Sequence, residues 1–423
     1  MSKRVFILAT VFLVFCYCAL VGRFQLFPYQ IFHKASIGFD RVLDETGIRH
    51  TVWGYRDIPK DLKGKKGAIL TGDAHPGLNL ISEMGVDYSL IVKLTTLQGK
   101  VLHTWNLNCF DIWSDFSHLD NKSRPNQEPG TFVHGMVLLS DGSLVFNHEF
   151  VGLTRVSKNN EILWQLPYLT HHSLHLHQDG TLWTCGKRYD NLIDGFENDK
   201  PAKWKYSFLQ ISTEGELLNE WIVQDILLEN GYAGVIDMLQ GKGGHRNEFH
   251  MNDVEPIPDS LSGVAFEKGD IVISLRDINT VFVYNQYSKL IKYMLTGKFV
   301  RQHDPDFIDT CSISIFDNKN GAYLPGSQKS RILRYYPIQD SFVTSFEGNS
   351  SFKFMTSQAG KHQCLPNGNL LISETRRGRA FEINNSGELV WEYVNVIGEN
   401  EVGYVIEVQR VPLSMGSMFV AVE

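Results

Sequence analysis

An internal repeat of four short apolar segments joined by glycine turns constrains the fold of this chain most. In the clearest copy, residues 133–164, the turn Asp141-Gly142 joins two apolar runs, and two further runs end near Trp164. Similar hairpins surround Asp179-Gly180 and Asn367-Gly368. Asp-Gly and Asn-Gly between apolar runs are typical of tight hairpins, because both turn residues must tolerate positive φ. Each copy therefore predicts a four-stranded antiparallel sheet.

Six copies of the repeat can be recognised, and together they predict an all-β fold. They span residues 78–105, 133–164, 172–221, 250–293, 303–344 and 362–391. Four-stranded units repeated around an axis form a β-propeller, whereas a linear stack of sheets would expose two long edges. We therefore expect a six-bladed β-propeller over residues 76–423, in which residues 404–408 could pair with the first unit and close the ring. Residues 25–75 show no repeat and are interpreted as a linker and packing segment.

The N-terminus predicts a membrane anchor. Lys3 and Arg4 precede an uncharged apolar run over residues 5–21, which is long enough for a short membrane-spanning helix. The positive flank places the N-terminus in the cytoplasm and the remainder on the other side. Because the run ends without a clean Ala-x-Ala cleavage site, we favour an uncleaved single-pass anchor over residues 1–24, with a cleaved signal peptide as the alternative. In both cases the propeller lies on the periplasmic or extracytoplasmic side.

Composition excludes some functions. The net charge of −7 and the lack of any basic run argue against a nucleic-acid partner. The four cysteines beyond the anchor, Cys109, Cys185, Cys311 and Cys364, are scattered without zinc-binding spacing. An exported chain permits one disulfide among them, and free buried thiols are equally compatible with the sequence.

Five histidines stand at the same point of their repeats, at or just before the first strand. They are His134, His172, His250, His303 and His362. If the first strand is innermost, these five imidazoles surround one mouth of the central channel. A single histidine at such a position would more often be an ordinary core or turn residue, but five of 15 in one register favour a functional site.

Two of the repeats carry further polar residues beside their histidine. Asn252 lies two residues after His250 and should face the same way on a strand. Arg276 follows an apolar run and could point either into the channel or to the surface. Pro305 excludes regular pairing, so we expect His303 on a loop at the rim, either as a reactive group or as a turn residue. Imidazoles, an arginine and an amide around one pocket make an anion site.

At these residues the chain resembles the PAPS-independent arylsulfotransferases, exported propellers that move a sulfuryl group between phenols. The resemblance extends over residues 78–423 and includes His172. It is most specific in the two central units, at residues 250–254 with 273–276 and at residues 302–304 with 315–318. It continues through residues 365–369 and 391–393. Asp253 departs from the family pattern, in which a small hydroxyl residue is more usual.

The resemblance implies a function and a role for each residue. His303 would accept the sulfuryl group from an aryl sulfate donor and pass it to a phenolic acceptor, with no metal and no cofactor. His172, His250, Asn252 and Arg276 would bind the sulfate, and His250 or His362 would be the acid–base partner. Two other interpretations remain open: a propeller that binds a ligand or scaffolds a complex without catalysis, and a zinc or copper site in the histidine ring.

Overall fold

A computed structural model describes residues 56–121, 123–190, 203–238, 249–319, 329–350 and 352–419, together with positions 10, 12, 14, 16 and 17. It divides the chain into two units, residues 1–55 and 56–423. The predicted anchor over residues 1–24 lies largely outside the described residues. Among the residues that are described, none belongs to a helix long and apolar enough to cross a membrane.

The unit of residues 56–423 is built almost entirely of antiparallel strands. Two short strands come first, β1 (Arg56–Asp57) and β2 (Gly67–Leu70). The first sheet then has β3 (Leu78–Met84), β4 (Leu90–Thr95) and β5 (Val101–Asn106). The second has β6 (Val133–Leu138), β7 (Leu144–His148), β8 (Gly152–Val156) and β9 (Ile162–Leu166). The third has β10 (Leu169–Leu176), β11 (Leu182–Asp190), β12 (Lys203–Ile211) and β13 (Leu217–Ile222).

The remaining sheets follow in chain order. The fourth has β14 (Met251–Pro256), β15 (Asp270–Leu275), β16 (Thr280–Asn285) and β17 (Leu290–Thr296). The fifth has β18 (His303–Asp309), β19 (Ser312–Asp317), β20 (Arg331–Tyr336) and β21 (Ser341–Glu347). The sixth has β22 (Lys361–Cys364), β23 (Leu370–Glu374), β24 (Arg379–Ile383) and β25 (Leu389–Val394). The last strands are β26 (Val396–Ile397), β27 (Glu401–Val402) and β28 (Val405–Val411).

Helices in the described part of the chain are few and short. Between residues 56 and 419, the described α-helices are α1 (Cys109–Ile112), α2 (Val223–Glu229) and α3 (Ala233–Asp237). The described positions 10, 12, 14, 16 and 17 are also helical. Single 3₁₀ turns span Lys60–Leu62, Val86–Tyr88, Asp259–Leu261, Arg276–Ile278, Pro337–Gln339 and Thr375–Arg377, and a longer one spans Leu413–Met418.

The inner strands of these sheets form a closed cycle. Strand β28 pairs with β3 and so becomes the inner strand of the first sheet, as the sequence predicted for residues 404–408. Strands β28, β6, β10, β14, β18 and β22 each contact the next, and β22 contacts β28 again. Sheets arranged around an axis in this way form a β-propeller.

Apolar side chains fill the space between neighbouring sheets. Between the third and fourth sheets, Trp183 and Phe208 both stack on Trp221, with ring centroids 5.2 Å and 5.1 Å from it. Ile271 and Phe282 of the fourth sheet complete the same buried cluster. The tryptophan at the end of a repeat therefore joins one sheet to the next, and this packing positions the inner strands.

One strand was not predicted, and one local prediction was wrong. Strand β2, which lies in the segment interpreted as linker, pairs with β25 and gives the sixth sheet a fifth strand. His303 does not sit on an unpaired loop, because it opens β18 opposite Phe316. A register shift between His303 and Asp306 accommodates Pro305, and Asp304 there has a φ of 52°.

Candidate functional site

Four histidines from consecutive inner strands meet where those strands begin. The ring centroids of His134 and His172 are 4.5 Å apart, and His172 Nε2 lies 3.2 Å from His250 Nε2. His303 is close enough to influence the protonation of both His172 and His250. We call these four residues the histidine cluster.

A β-bulge at the start of each strand aims these side chains. The pairing register shifts between Val133 and Met136 in β6, between His171 and Leu174 in β10, between Met251 and Asp253 in β14, and between His303 and Asp306 in β18. His172 and His250 also have positive φ, 58° and 50°. Bulges re-aim side chains beside functional sites, and left-handed backbone at residues other than glycine persists only where the surroundings impose it.

His303 is held in one tautomer. Its Nδ1 lies 2.6 Å from Asn318 Oδ1 and 3.1 Å from the Arg301 carbonyl, and both of those atoms are acceptors. The amide nitrogen of Asn318 donates to the carbonyls of Thr356 and Ala359, which fixes which end of the amide faces the ring. Nδ1 therefore carries the proton, and the lone pair is on Nε2.

Three members of the histidine cluster, His172, His250 and His303, have lowered pKa values and are neutral at physiological pH. Burial, reinforced by the nearby Arg276 guanidinium, lowers the pKa of His303 to about 3. Burial and the neighbouring His134 hold the pKa of His172 well below its usual range, and burial with Arg276 does the same for His250. The fixed positive charge beside these three imidazoles thus comes from Arg276 rather than from the rings themselves.

Arg276 is suited to presenting its charge to a ligand. Its Nε donates to Asp277 Oδ1 at 2.9 Å, and no described residue bonds to its two terminal nitrogens. The side chain is largely buried, which strengthens its field. Lys187 adds a second positive charge near the cluster, above the ring of Phe150 at 5.3 Å. Its ammonium group also contributes to the low pKa of His171.

Two predicted site residues lie elsewhere. The Asn252 amide donates to the Gln302 carbonyl at 2.8 Å, so it supports the backbone before His303 rather than facing the same way as His250. His362 bonds through Nδ1 to Asp304 Oδ2 at 2.9 Å and through Nε2 to Ser314 Oγ at 2.7 Å. Within the described residues it makes no ring contact or hydrogen bond with the histidine cluster, so the expected ring of five imidazoles has four members here.

Glu149 was missed by sequence reasoning. Its carboxylate lies 3.6 Å from His172 Nε2 and 3.9 Å from His134 Nδ1. These three side chains could together hold a metal ion, although the resemblance implied none. Only the first strands of the repeats were compared, whereas Glu149 directly follows the second strand of its sheet. Comparing the position after each second strand could have found it.

A separate cavity of about 260 Å³ lies beside His362. Its walls include Glu255, Asp304, Asp306, Lys361, His362 and Glu407. Burial and the carboxylate of Asp304 raise the pKa of Asp306 well above its usual range, and burial raises that of Glu255 to about 7. This cavity is acidic, in contrast to the histidine cluster with its arginine.

The family model described as Arylsulfotransferase (ASST) matches residues 135–396. The chain belongs to this arylsulfotransferase family. The matched segment contains His172, His250, Arg276, His303 and His362, while His134 lies one residue before it. The family was therefore predicted correctly from residues in the central repeats.

Similarities to individual proteins are weak. A protein of unknown function from Bacteroides caccae shares 11% identity with a TM-score of 0.46, covering 75% of this chain and 94% of that one. The WD40 β-propeller domain of Doa1 shares 12% identity with a TM-score of 0.40 over 84% and 95%. A virginiamycin B lyase from Staphylococcus aureus shares 10% with a TM-score of 0.38 over 81% and 99%. Such scores are too low to assign a fold or a function. No curated protein matches the sequence.

Proposed function

We propose that this member of the arylsulfotransferase family transfers a sulfuryl group from an aryl sulfate ester to a phenol, through a sulfohistidine at His303. The observation that carries the proposal is the state of this imidazole, which is neutral, fixed in its tautomer by Asn318 and close to Arg276. A neutral imidazole is a nucleophile, and a neighbouring cation both keeps it neutral and attracts a sulfate ester.

The reaction consists of two displacements. The lone pair of His303 Nε2 attacks sulfur while the S–O bond to the aryl group breaks, and its electron pair leaves on the phenolate oxygen. The Nδ1 proton stays on the ring, donated to Asn318, so the sulfonated ring is a cation and a good leaving group. A phenol then attacks the same sulfur, the N–S bond breaks, and His303 regains its lone pair. A general acid gives a proton to the departing phenolate, and the same group regains a proton from the acceptor phenol in the second step.

Neighbouring side chains stabilise the transferring group. Transfer of this kind passes through a loose transition state whose charge spreads over the non-bridging oxygens. Arg276 and His250 can direct donors at those oxygens without rearrangement. Both ring nitrogens of His172 face neighbouring imidazoles, those of His171 and His250. One of the two Nε2 atoms of His172 and His250 must carry a proton at their 3.2 Å separation. This pair is therefore a better acid–base candidate than His362, whose ring nitrogens face Asp304 and Ser314.

The proposal also covers the number of blades and the side of the membrane on which the propeller lies. We take the six sheets to be the full set of blades, because the inner strands close on themselves. We also propose that the N-terminal apolar run anchors the protein and that the propeller faces the extracytoplasmic side. Lys3 and Arg4 before that run support this orientation.

One assay tests the activity and the orientation separately. Cells expressing the full chain are given a charged aryl sulfate that does not cross membranes, together with a phenol. We expect transfer by intact cells, in chelator and without a nucleotide donor.

Transfer only after lysis would contradict the orientation but not the chemistry. Release of the first phenol at a rate indifferent to the second would indicate hydrolysis and contradict the transferase. Activity that chelator abolishes would favour a metal held by His134, Glu149 and His172.

A further inference from the structure

We propose that Lys187 is the acid–base residue of the sulfuryl transfer, giving a proton to the departing phenolate and taking one from the acceptor phenol. Lys187 lies on β11 of the third sheet and is 7% exposed. The inference rests on the function proposed above. It adds a residue that neither the repeats nor the family resemblance indicated.

The imidazoles and the arginine of the site are poor proton donors to a phenolate. The pair of His172 and His250 is placed better than His362, but both rings are neutral at physiological pH. A neutral imidazole is a much weaker acid than a phenol. Arg276 stays protonated throughout. A departing phenolate therefore needs another acid close to these side chains.

Aromatic rings hold the ammonium group of Lys187 beside the histidine cluster. Its Nζ lies 5.3 Å from the ring centroid of Phe150 and 5.5 Å from that of Tyr206. The ring centroid of Phe150 is in turn 4.7 Å from that of His171 and 6.0 Å from that of His172. Aromatic faces attract an ammonium group but do not accept its proton. These rings therefore position the charge without taking the proton.

The charge of Lys187 acts on the imidazoles themselves. Burial is the main cause of the low pKa of His171, and the ammonium group of Lys187 is the next. The same charge adds to burial and to Arg276 in lowering the pKa of His250. Because such an effect weakens with distance, Lys187 lies close to His250 as well as to His171.

Lys187 also borders a cavity of about 270 Å³. The other residues of its wall are His118, Asp120, Pro167, Tyr168, Leu169 and Arg188. Most of this wall is apolar, and an apolar wall with a few polar groups suits an aromatic ring that carries one oxygen. Lys187 thus connects this cavity to the histidine cluster, and a phenol that enters the cavity meets the ammonium group.

Lysine matches phenols in acidity. The ordinary pKa is about 10.4 for a lysine side chain and about 10 for the phenol of tyrosine, compared with about 4.3 for glutamate. A proton can therefore pass between lysine and a phenol in either direction at little cost. Glu149 also lies beside the cluster, but a carboxylate takes a proton from a phenol far less readily.

The two proton transfers balance over the cycle. As the S–O bond breaks, its electron pair stays on the phenolate oxygen, and the ammonium group of Lys187 gives that oxygen a proton and becomes an amine. The amine then takes the hydroxyl proton of the acceptor while the acceptor oxygen attacks sulfur. The N–S bond breaks, His303 regains its lone pair, and Lys187 is an ammonium group again.

The test compares two donors in single turnovers of the full chain in detergent. Phenyl sulfate releases a strongly basic phenolate that needs a proton, whereas the phenolate of para-nitrophenyl sulfate is stable without one. In Lys187→Met we expect release of phenol from phenyl sulfate to slow about 100-fold or more, because general acids contribute rate factors of this size. Release of para-nitrophenol should change little, which also shows that the variant is folded.

Lys187→Arg separates the proton from the charge. Arginine keeps the positive charge but does not give up its proton, so this variant should show the same selective loss with phenyl sulfate. Lys205→Met is the matched control, because Lys205 lies in the same sheet with its Nζ 3.7 Å from Asp225 Oδ1. It should leave both rates unchanged.

Three results would overturn the assignment of Lys187. They are an unchanged rate with phenyl sulfate in Lys187→Met, an equal loss with both donors, and full recovery in Lys187→Arg, which would mean that the charge alone matters. Wild-type protein that transfers from neither donor would instead contradict the transferase proposed above. The two proposals therefore fail in different measurements.

Discussion

Among single residues, His303 differs from His172 and His250 in the partners of its ring nitrogens. Asn318 Oδ1 accepts a hydrogen bond from Nδ1 of His303, which leaves Nε2 of that ring with its lone pair. In His172 and His250, by contrast, the two Nε2 atoms face each other. His303→Ala should therefore abolish both transfer and the covalent adduct. The measurement is the mass of the rapidly quenched full chain with donor present, followed by peptide mapping to locate the added sulfuryl group.

The control is the same substitution at His118, which is outside the histidine cluster and bonds to the Val151 carbonyl. It should leave both adduct and transfer in place. Substantial transfer by His303→Ala, or an adduct mapped to His250 or His362, would show that the nucleophile is misassigned.

The sequence predicted which residues lie near the site better than it predicted the directions of their side chains. The repeats placed His172, His250 and His303 correctly at the ends of inner strands. Asn252 was expected beside His250 because alternate strand residues share a face. The bulge between Met251 and Asp253 breaks that alternation. Bulges leave little trace in an apolar pattern, so no count of residues would have revealed this one.

Between elements, Gly135 lets two inner strands approach each other beside the site. Its φ is 82°, and a Cβ there would lie 2.1 Å from the His172 carbonyl and 2.9 Å from the Leu174 nitrogen. Both atoms are backbone, so Gly135→Ala must displace the segment that carries His172. We expect at least a tenfold lower transfer rate and a loss of about 1–3 kcal/mol in the free energy of unfolding.

Gly180→Ala provides the comparison, because that glycine has the same φ of 82° and nothing within 4 Å of its missing Cβ. Gly180→Ala should lower the free energy of unfolding only through the strain of a positive φ at alanine, and it should leave the transfer rate unchanged. Equal effects of the two substitutions on transfer would mean that the close approach at Gly135 does not position His172.

The elements themselves were predicted well because hairpin turns and apolar runs are local signals. All six repeats correspond to sheets, and the pairing of residues 404–408 with the first unit was expected. The addition of β2 to the sixth sheet was missed. Its four residues, Gly67–Leu70, are too few to show a pattern, and its partner β25 is more than 300 residues away in sequence.

For the whole molecule, buried neutral histidines make stability depend on pH. His148 Nδ1 accepts the Trp113 indole N–H, and Nε2 donates to the Leu107 carbonyl. Burial lowers its pKa to about 4. In the unfolded chain this histidine takes up a proton near pH 6.5. The stability contributed by neutral His148 is therefore present at pH 7 and is lost as the pH falls from about 6.5 towards about 4.

His148→Gln should destabilise the protein at pH 7 by disturbing these two hydrogen bonds. Because glutamine takes up no proton, the difference in free energy of unfolding from wild type should shrink by about 2 kcal/mol between pH 7 and pH 5. Denaturant unfolding at both pH values measures this difference. A difference that stays constant would mean that His148 titrates normally in the folded protein.

The pairing of β28 with β3 has a consequence for the order in which the protein can be completed. Arg410 reaches back 331 positions to bond Asn79 and also binds Glu382 of the sixth sheet. A chain emerging from the ribosome must therefore keep its first sheet without an inner strand while about 300 further residues are translated. Contacts so distant in sequence form slowly. Nascent chains stalled before residue 405 should thus depend on chaperones, and a premature stop codon there should be as damaging as one far upstream.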